Sequence, residues 1–84
     1  MDLRQLKYFC RIAECGSFRE AADRANVAQS ALSRHMRALE DELGVTLLER
    51  HARGTRLTTQ GEKLKKRADT ILREVEETWL EMTT

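Results

Sequence analysis

The stretch Ser17-Phe18-Arg19-Glu20-Ala21-Ala22-Asp23-Arg24-Ala25-Asn26-Val27-Ala28-Gln29-Ser30-Ala31-Leu32-Ser33-Arg34-His35-Met36-Arg37 decides the fold. Phe18, Ala21, Ala22 and Ala25 recur at the i, i+3, i+4, i+7 spacing of a helix with one buried face. Ser17 stands before them as an N-cap, with Glu20 at the reciprocal capping-box position. Asn26 tolerates the left-handed conformation that stops a helix. The alanines allow the close helix approach that a tight helix-turn-helix needs. A second helix is predicted from about Gln29 to Glu42, ended by Gly44. Leu32, Met36, Leu39 and Leu43 fall within one narrow arc of it. Ser30, Ser33, Arg34 and Arg37 fall on the opposite face, which carries no acid in its first two turns. Glu40, Asp41 and Glu42 are confined to the last turn.

Towards the N-terminus, Asp2 with Gln5 makes a capping-box signal, and Leu6, Phe9, Cys10 and Ala13 form a further helical stripe. Gly16 is placed to end that helix. Towards the C-terminus, Val45-Thr46-Leu47-Leu48 and Thr55-Arg56-Leu57 flank a basic tip, Arg50-His51-Ala52-Arg53-Gly54, and read as a small hairpin. Thr58 or Thr59, the latter with Glu62 three residues on, caps a last helix. Its residues Leu64, Ala68, Ile71, Val75, Thr78 and Met82 alternate steps of four and three, the pattern of a heptad seam, flanked by Leu72 and Trp79. From 58 to 84 such a helix spans about 40 Å. Trp79, Leu80 and Met82 then project without cover, and a partner helix is the simplest cover.

The fold class is therefore mainly α: a winged helix-turn-helix of three helices and a short β-hairpin over 1–58, with the motif at about 18–37 and the wing at about 46–57. A long linker helix over 59–84 follows. At 84 residues this is one domain near the lower limit of what a single core stabilises. Mean hydropathy is -0.60, 35% of residues are charged, and the longest strictly apolar run is two or three residues, so no segment is apolar enough to span a membrane. No secretory h-region opens the chain, and a cytoplasmic location is expected. Cys10 and Cys15 match neither a zinc spacing nor a disulfide framework. His35 and His51 lack a partnered nucleophile, and no P-loop or G-x-S-x-G occurs, so neither an enzyme nor a metal site is expected. His35 flanks the core stripe and is expected to be packed or half-buried.

All 15 basic residues and ten of the 14 acidic ones lie within 1–73; Glu74, Glu76, Glu77 and Glu81 follow with no base. The net charge of +1 thus conceals a basic head and an acidic tail. The second helix of a helix-turn-helix enters the DNA major groove N-terminus first. Arg34 and Arg37 can donate in bidentate fashion to guanine or phosphate, and Gln29 can pair with adenine. Ser30 and Ser33 let the helix sit close. Arg53, beside Gly54, suits a narrow minor groove or its phosphates. The rival reading is a protein-interaction module that dimerises through the long helix, and the two are compatible.

Gly16-Ser17-Phe18…Ala21-Ala22, Val27-Ala28-Gln29-Ser30-Ala31-Leu32-Ser33-Arg34, Leu39-Glu40…Leu43-Gly44 and Leu47-Leu48-Glu49-Arg50…Arg53-Gly54…Leu57-Thr58…Gly61 resemble the LysR-type transcriptional regulators along essentially the whole chain. The resemblance implies sequence-specific double-stranded DNA binding at an interrupted palindromic operator. It also implies a linker helix that pairs antiparallel with that of a second subunit, a tetramer being the alternative at full length. Matched by position, contacts are implied from Gln29, Ser30, Ser33, Arg34 and Arg53, with phosphate contacts from Arg4 and Ser17. Family members continue into a longer effector-binding domain that these residues do not include. The chain is accordingly expected to be the DNA-binding region, with no cofactor and no site for an inducer. Three positions depart from the family pattern: Ala28 replaces a frequent capping serine, Ser30 a frequent proline and Leu48 a usual phenylalanine. An alanine N-cap costs about 1 kcal/mol unless another group takes the free N–H groups.

Overall fold

In the computed structural model, which describes residues 1–84, helix boundaries fall where the capping residues put them. Helix α1 runs Leu3–Cys15, and the Asp2–Gln5 capping box is formed in both directions. Gly16 ends it at φ 68°, a left-handed conformation that costs a glycine nothing. Helix α2 runs Phe18–Ala25, with Ser17 Oγ accepting from the Glu20 backbone N–H and Asn26 at φ 57° closing it. The reciprocal half of the expected capping box is not made; the Glu20 carboxylate accepts from Arg24 at 2.9 Å. Helix α3 runs Gln29–Leu43 and ends at Gly44.

The hairpin is shorter than the sequence suggests. Strands β1 (Leu48–His51) and β2 (Gly54–Leu57) pair antiparallel from Leu48↔Leu57 to His51↔Gly54, leaving Ala52 and Arg53 at the tip. Arg50 and His51 therefore belong to a strand and not to the tip. Helix α4 runs Thr59–Thr83. Of the two candidate caps, Thr58 is the one used: its Oγ1 accepts from the Gly61 N–H at 3.0 Å and donates to the Thr46 carbonyl at 2.6 Å.

The core is one cluster in which α1 supplies Leu6, Phe9, Cys10 and Ile12, α2 supplies Phe18, Ala21 and Ala22, and α3 supplies Leu32, Met36 and Leu39. Leu47, Leu48 and Ala68 close it from the wing and α4. His35 is half-buried as expected, its ring edge-on to Tyr8 with centroids 5.2 Å apart. Where α4 crosses α1, Lys65 Nζ lies 2.8 Å from Asp69 and 3.3 Å from Glu14, clamping the two helices. The Cys10 thiol sits 3.8 Å from the same Asp69 carboxylate, and burial pushes its pKa up to about 11. It is a packed, protonated thiol at neutral pH.

The wing and α4 are anchored through one residue. Leu47 donates its N–H to Glu40 Oε2, and its carbonyl accepts from Thr58 N at 3.0 Å. Gly61, in the first turn of α4, lies so close that a Cβ there would stand 2.2 Å from the Leu47 carbonyl oxygen. Helix propensity alone favours Gly61→Ala by about 1 kcal/mol, whereas overpacking against fixed backbone costs about 1–3 kcal/mol. The steric cost wins here, because the opposing atom is a hydrogen-bonded carbonyl. Thermal unfolding followed by circular dichroism is expected to show a lower midpoint for Gly61→Ala; a higher midpoint would mean that Leu47 gives way.

Candidate nucleic-acid interface

Helix α3 buries Leu32, Met36 and Leu39 against α1 and α2, and this fixes which side faces outward. Gln29, Ser30, Arg34 and Arg37 are exposed, as is Arg53 at the wing tip. None of these five side chains makes a hydrogen bond or ion pair within the chain, so their donors are unspent. Ser33 is half-buried and accepts from Arg50 Nη2 at 2.6 Å. Arg4 is exposed near the start of α1. Ser17 is half-buried, its oxygen occupied as the cap of α2 while its O–H remains available to donate.

The start of α3 adds three more donors. Ala28 has the extended conformation of an N-cap, φ -69° and ψ 142°, but no side chain caps the helix. The first bond of the helix runs from Leu32 N to the Ala28 carbonyl, so the N–H groups of Gln29, Ser30 and Ala31 point out unpaired. With the positive end of the helix dipole there, the site favours an anion.

The wing is held in place beside α3. Thr55 N donates to the Gly16 carbonyl at 2.9 Å, and a Cβ on Gly54 would meet that same oxygen at 2.6 Å. Gly54 has φ +136°, which side chains rarely adopt, so both conformation and space call for glycine. The close approach ties the hairpin to the α1–α2 turn. Between α3 and β1 lies an open hollow of about 290 Å³, lined by Ser33, Arg37, Glu40 and Arg50 over Phe18, Met36 and Leu48.

Sequence reasoning missed Arg50 as a site residue. It stands 3.8 Å over the Phe18 ring and reaches from the wing to Ser33. A signal was present: residues two apart on a strand share a face, and Arg50 is two residues from the buried Leu48.

The expected seam on α4 divides in two. Ala68 is fully buried in its own chain, and Leu64, Ile71 and Leu72 pack partly against that core. Ala68 therefore has no surface to give a second chain; the core of its own chain already covers it. Val75, Trp79, Leu80 and Met82 are exposed, Trp79 by 64% and Met82 by 71%.

Three helices, the third free of acids in its first two turns, and a basic wing beside it define a winged helix-turn-helix DNA-binding domain. Residues 3–62 match the bacterial regulatory helix-turn-helix proteins of the lysR family, and the chain belongs to that family. It is 48% identical over 75 residues to a hydrogen peroxide-inducible genes activator of Haemophilus influenzae, covering 89% of this chain and 25% of that protein. It is 49% identical over 72 residues to the HTH-type transcriptional regulator TcbR of a Pseudomonas species, covering 86% of this chain and 24% of the relative. The chain thus spans about a quarter of the length of the curated relatives it matches. Among solved structures, a CbnR_DBD–DNA complex superimposes with TM-score 0.93 at 42% identity, over 99% of this chain and 95% of that one. The BenM_DBD/catB site 1 DNA complex gives 0.92 at 41%, over 99% and 92%. No helix is long and apolar enough to cross a membrane.

The uncapped start of α3 yields a direct test. Ala28→Ser places an acceptor at an N-cap whose backbone is already extended, and is expected to raise stability by about 1 kcal/mol. Urea unfolding at low ionic strength checks this; an unchanged midpoint would mean that the N–H groups are satisfied by water at no cost.

Proposed function

We propose that this chain reads an interrupted palindromic operator as a homodimer, as the DNA-binding part of a LysR-type transcriptional regulator. In this reading α3 lies in the major groove. Gln29, Ser30, Ser33, Arg34 and Arg37 meet base edges and phosphates there, and Arg53 reaches the adjacent minor groove. Arg4, Ser17 and the free N–H groups of α3 take phosphate oxygens. The observation that carries the reading is the outer face of α3: exposed, unspent donors with no acid among them, on a helix held rigid by its buried face. Two structures of similar fold, those of CbnR_DBD and BenM_DBD, are complexes with DNA.

The dimer is argued from the distal half of α4. Val75, Trp79 and Met82 border an open apolar groove of about 520 Å³ that nothing in the chain covers. A two-fold pair of such helices buries these faces together and sets two α3 helices at a fixed separation, which is what a palindromic site requires. The proximal half, packed on α1, makes the separation rigid.

Selection of bound duplexes from a randomised pool at near-physiological salt tests the whole reading, and enrichment of an interrupted palindrome is the expected outcome. An unenriched pool would mean binding through phosphates alone or a protein partner for the same face. On the selected site, Arg34→Ala is expected to lose about 1–3 kcal/mol and to relax preference at one position per half-site; unchanged affinity would remove Arg34 from the reading. Val75→Glu combined with Trp79→Glu is expected to give monomers in sedimentation equilibrium without loss of helix content. Dimers that persist would put the contact elsewhere.

A further inference from the structure

We propose that Arg50 is a positioning residue for sequence discrimination: by occupying one lone pair of the Ser33 hydroxyl and setting a cation beside it, Arg50 biases Ser33 toward an acceptor on the DNA. The inference rests on the DNA-binding reading above and adds to it the polarity of one contact. A serine hydroxyl has one proton and two lone pairs and rotates to suit its surroundings, so by itself it meets donors and acceptors alike. Here Arg50 takes one of the two lone pairs, which biases the hydroxyl toward donating. Arg50 Nη2 donates to Ser33 Oγ at 2.6 Å, a short bond with a charged donor. It is the single hydrogen bond that the Ser33 side chain makes within the chain, and it leaves the hydroxyl proton to point away from the guanidinium.

Arg50 can do this because it is itself held. Its guanidinium carbon stands 3.8 Å over the ring of Phe18, a cation–π contact with a side chain that is buried at the start of α2. Its backbone is fixed by the pairing with Thr55. The contact joins α2, the wing and α3, so Ser33's bias toward donating is set by residues from three elements. The cation adds a second effect of the same sign, since positive potential beside Ser33 repels an amino group on a base edge.

The expected preference follows from the major-groove pattern. Guanine N7 and O6, adenine N7 and thymine O4 present acceptors; cytosine N4 presents a donor. At the base pair that Ser33 meets, a strand position offering only the cytosine amino group is disfavoured, by roughly fivefold or more on the usual scale of single mismatches.

The test compares wild type, Ser33→Ala, Arg50→Ala, Arg50→Lys and the Ser33→Ala/Arg50→Ala double variant on the site selected by the wild-type chain and on its single-base substitutions, across a salt series. Circular dichroism melts accompany each. Arg50→Ala is expected to flatten the preference at the same base pair as Ser33→Ala, with the double variant no worse than the poorer single one. Arg50→Lys keeps the charge but not the stacked planar fork, so it is expected to flatten that position too while leaving the salt slope unchanged. A uniform loss on every sequence with a salt slope lower by about one would identify Arg50 as a phosphate contact and overturn the proposal. So would an Arg50→Lys profile identical to wild type. Should wild type itself enrich no sequence, the sequence-specific reading fails and this inference with it. Enrichment by wild type with an unaltered Arg50→Ala profile defeats this inference alone.

Discussion

The peptide groups of Leu47 are the point on which the recognition helix, the wing and the long helix depend together. Its N–H and that of Leu48 share the Glu40 carboxylate, which reaches back from the last turns of α3. Hydrogen bonds to an ionised acceptor are stronger than neutral ones, and here two of them hold the chain where it leaves α3. The Leu47 carbonyl is then taken by Thr58, immediately before α4, with Gly61 pressed against it. The side chain is sealed in the core at 1% exposure. One residue thus fixes the origin of the wing and of α4 relative to α3. Without it, each element would still form from its own caps and stripes, but their mutual placement would be lost.

That placement allows the acids of α3 to serve structure while its bases remain free. Glu40 holds the wing, and Glu42 pairs with the N-terminal ammonium of Met1. The first two turns contribute nothing polar to internal bonding except Ser33. The result is a division along one helix: its C-terminal end is committed to the fold, and its N-terminal end is left with donors to spend on a partner.

The elements were legible because their signals are local. Asp2 with Gln5, Gly16, Asn26 and Gly44 mark ends through contacts within four residues, and each acts where expected. Misreadings came where two local solutions compete. Thr58 and Thr59 are both credible caps, and the contact with Thr46, twelve residues back, selects Thr58. Glu20 could close a capping box or pair with Arg24, and the ion pair takes it. The α4 seam shows a deeper limit. Periodicity reports that a face is buried and not what buries it, so Ala68, sealed in its own core, and Met82, uncovered, look alike in sequence. For the candidate interface, the segregation of basic and acidic residues on α3 was readable. The Arg50–Ser33 bond, spanning 17 residues, was not.

The continuity of α4 has a consequence for how such a protein can change. The helix is clamped to the head by Lys65 and runs on without a glycine or proline to its exposed end. A residue inserted between Lys65 and Val75 lengthens it by about 1.5 Å but also turns everything beyond by about 100°. The apolar face around Trp79 would then point away from its former direction. Length and orientation are therefore coupled: an insertion of about seven residues, some two turns, brings the facing back to within about 20° while moving it outward by roughly 10 Å. The distance between head and distal face is in this sense quantised, open to change by near-whole numbers of turns and resistant to drift by single residues.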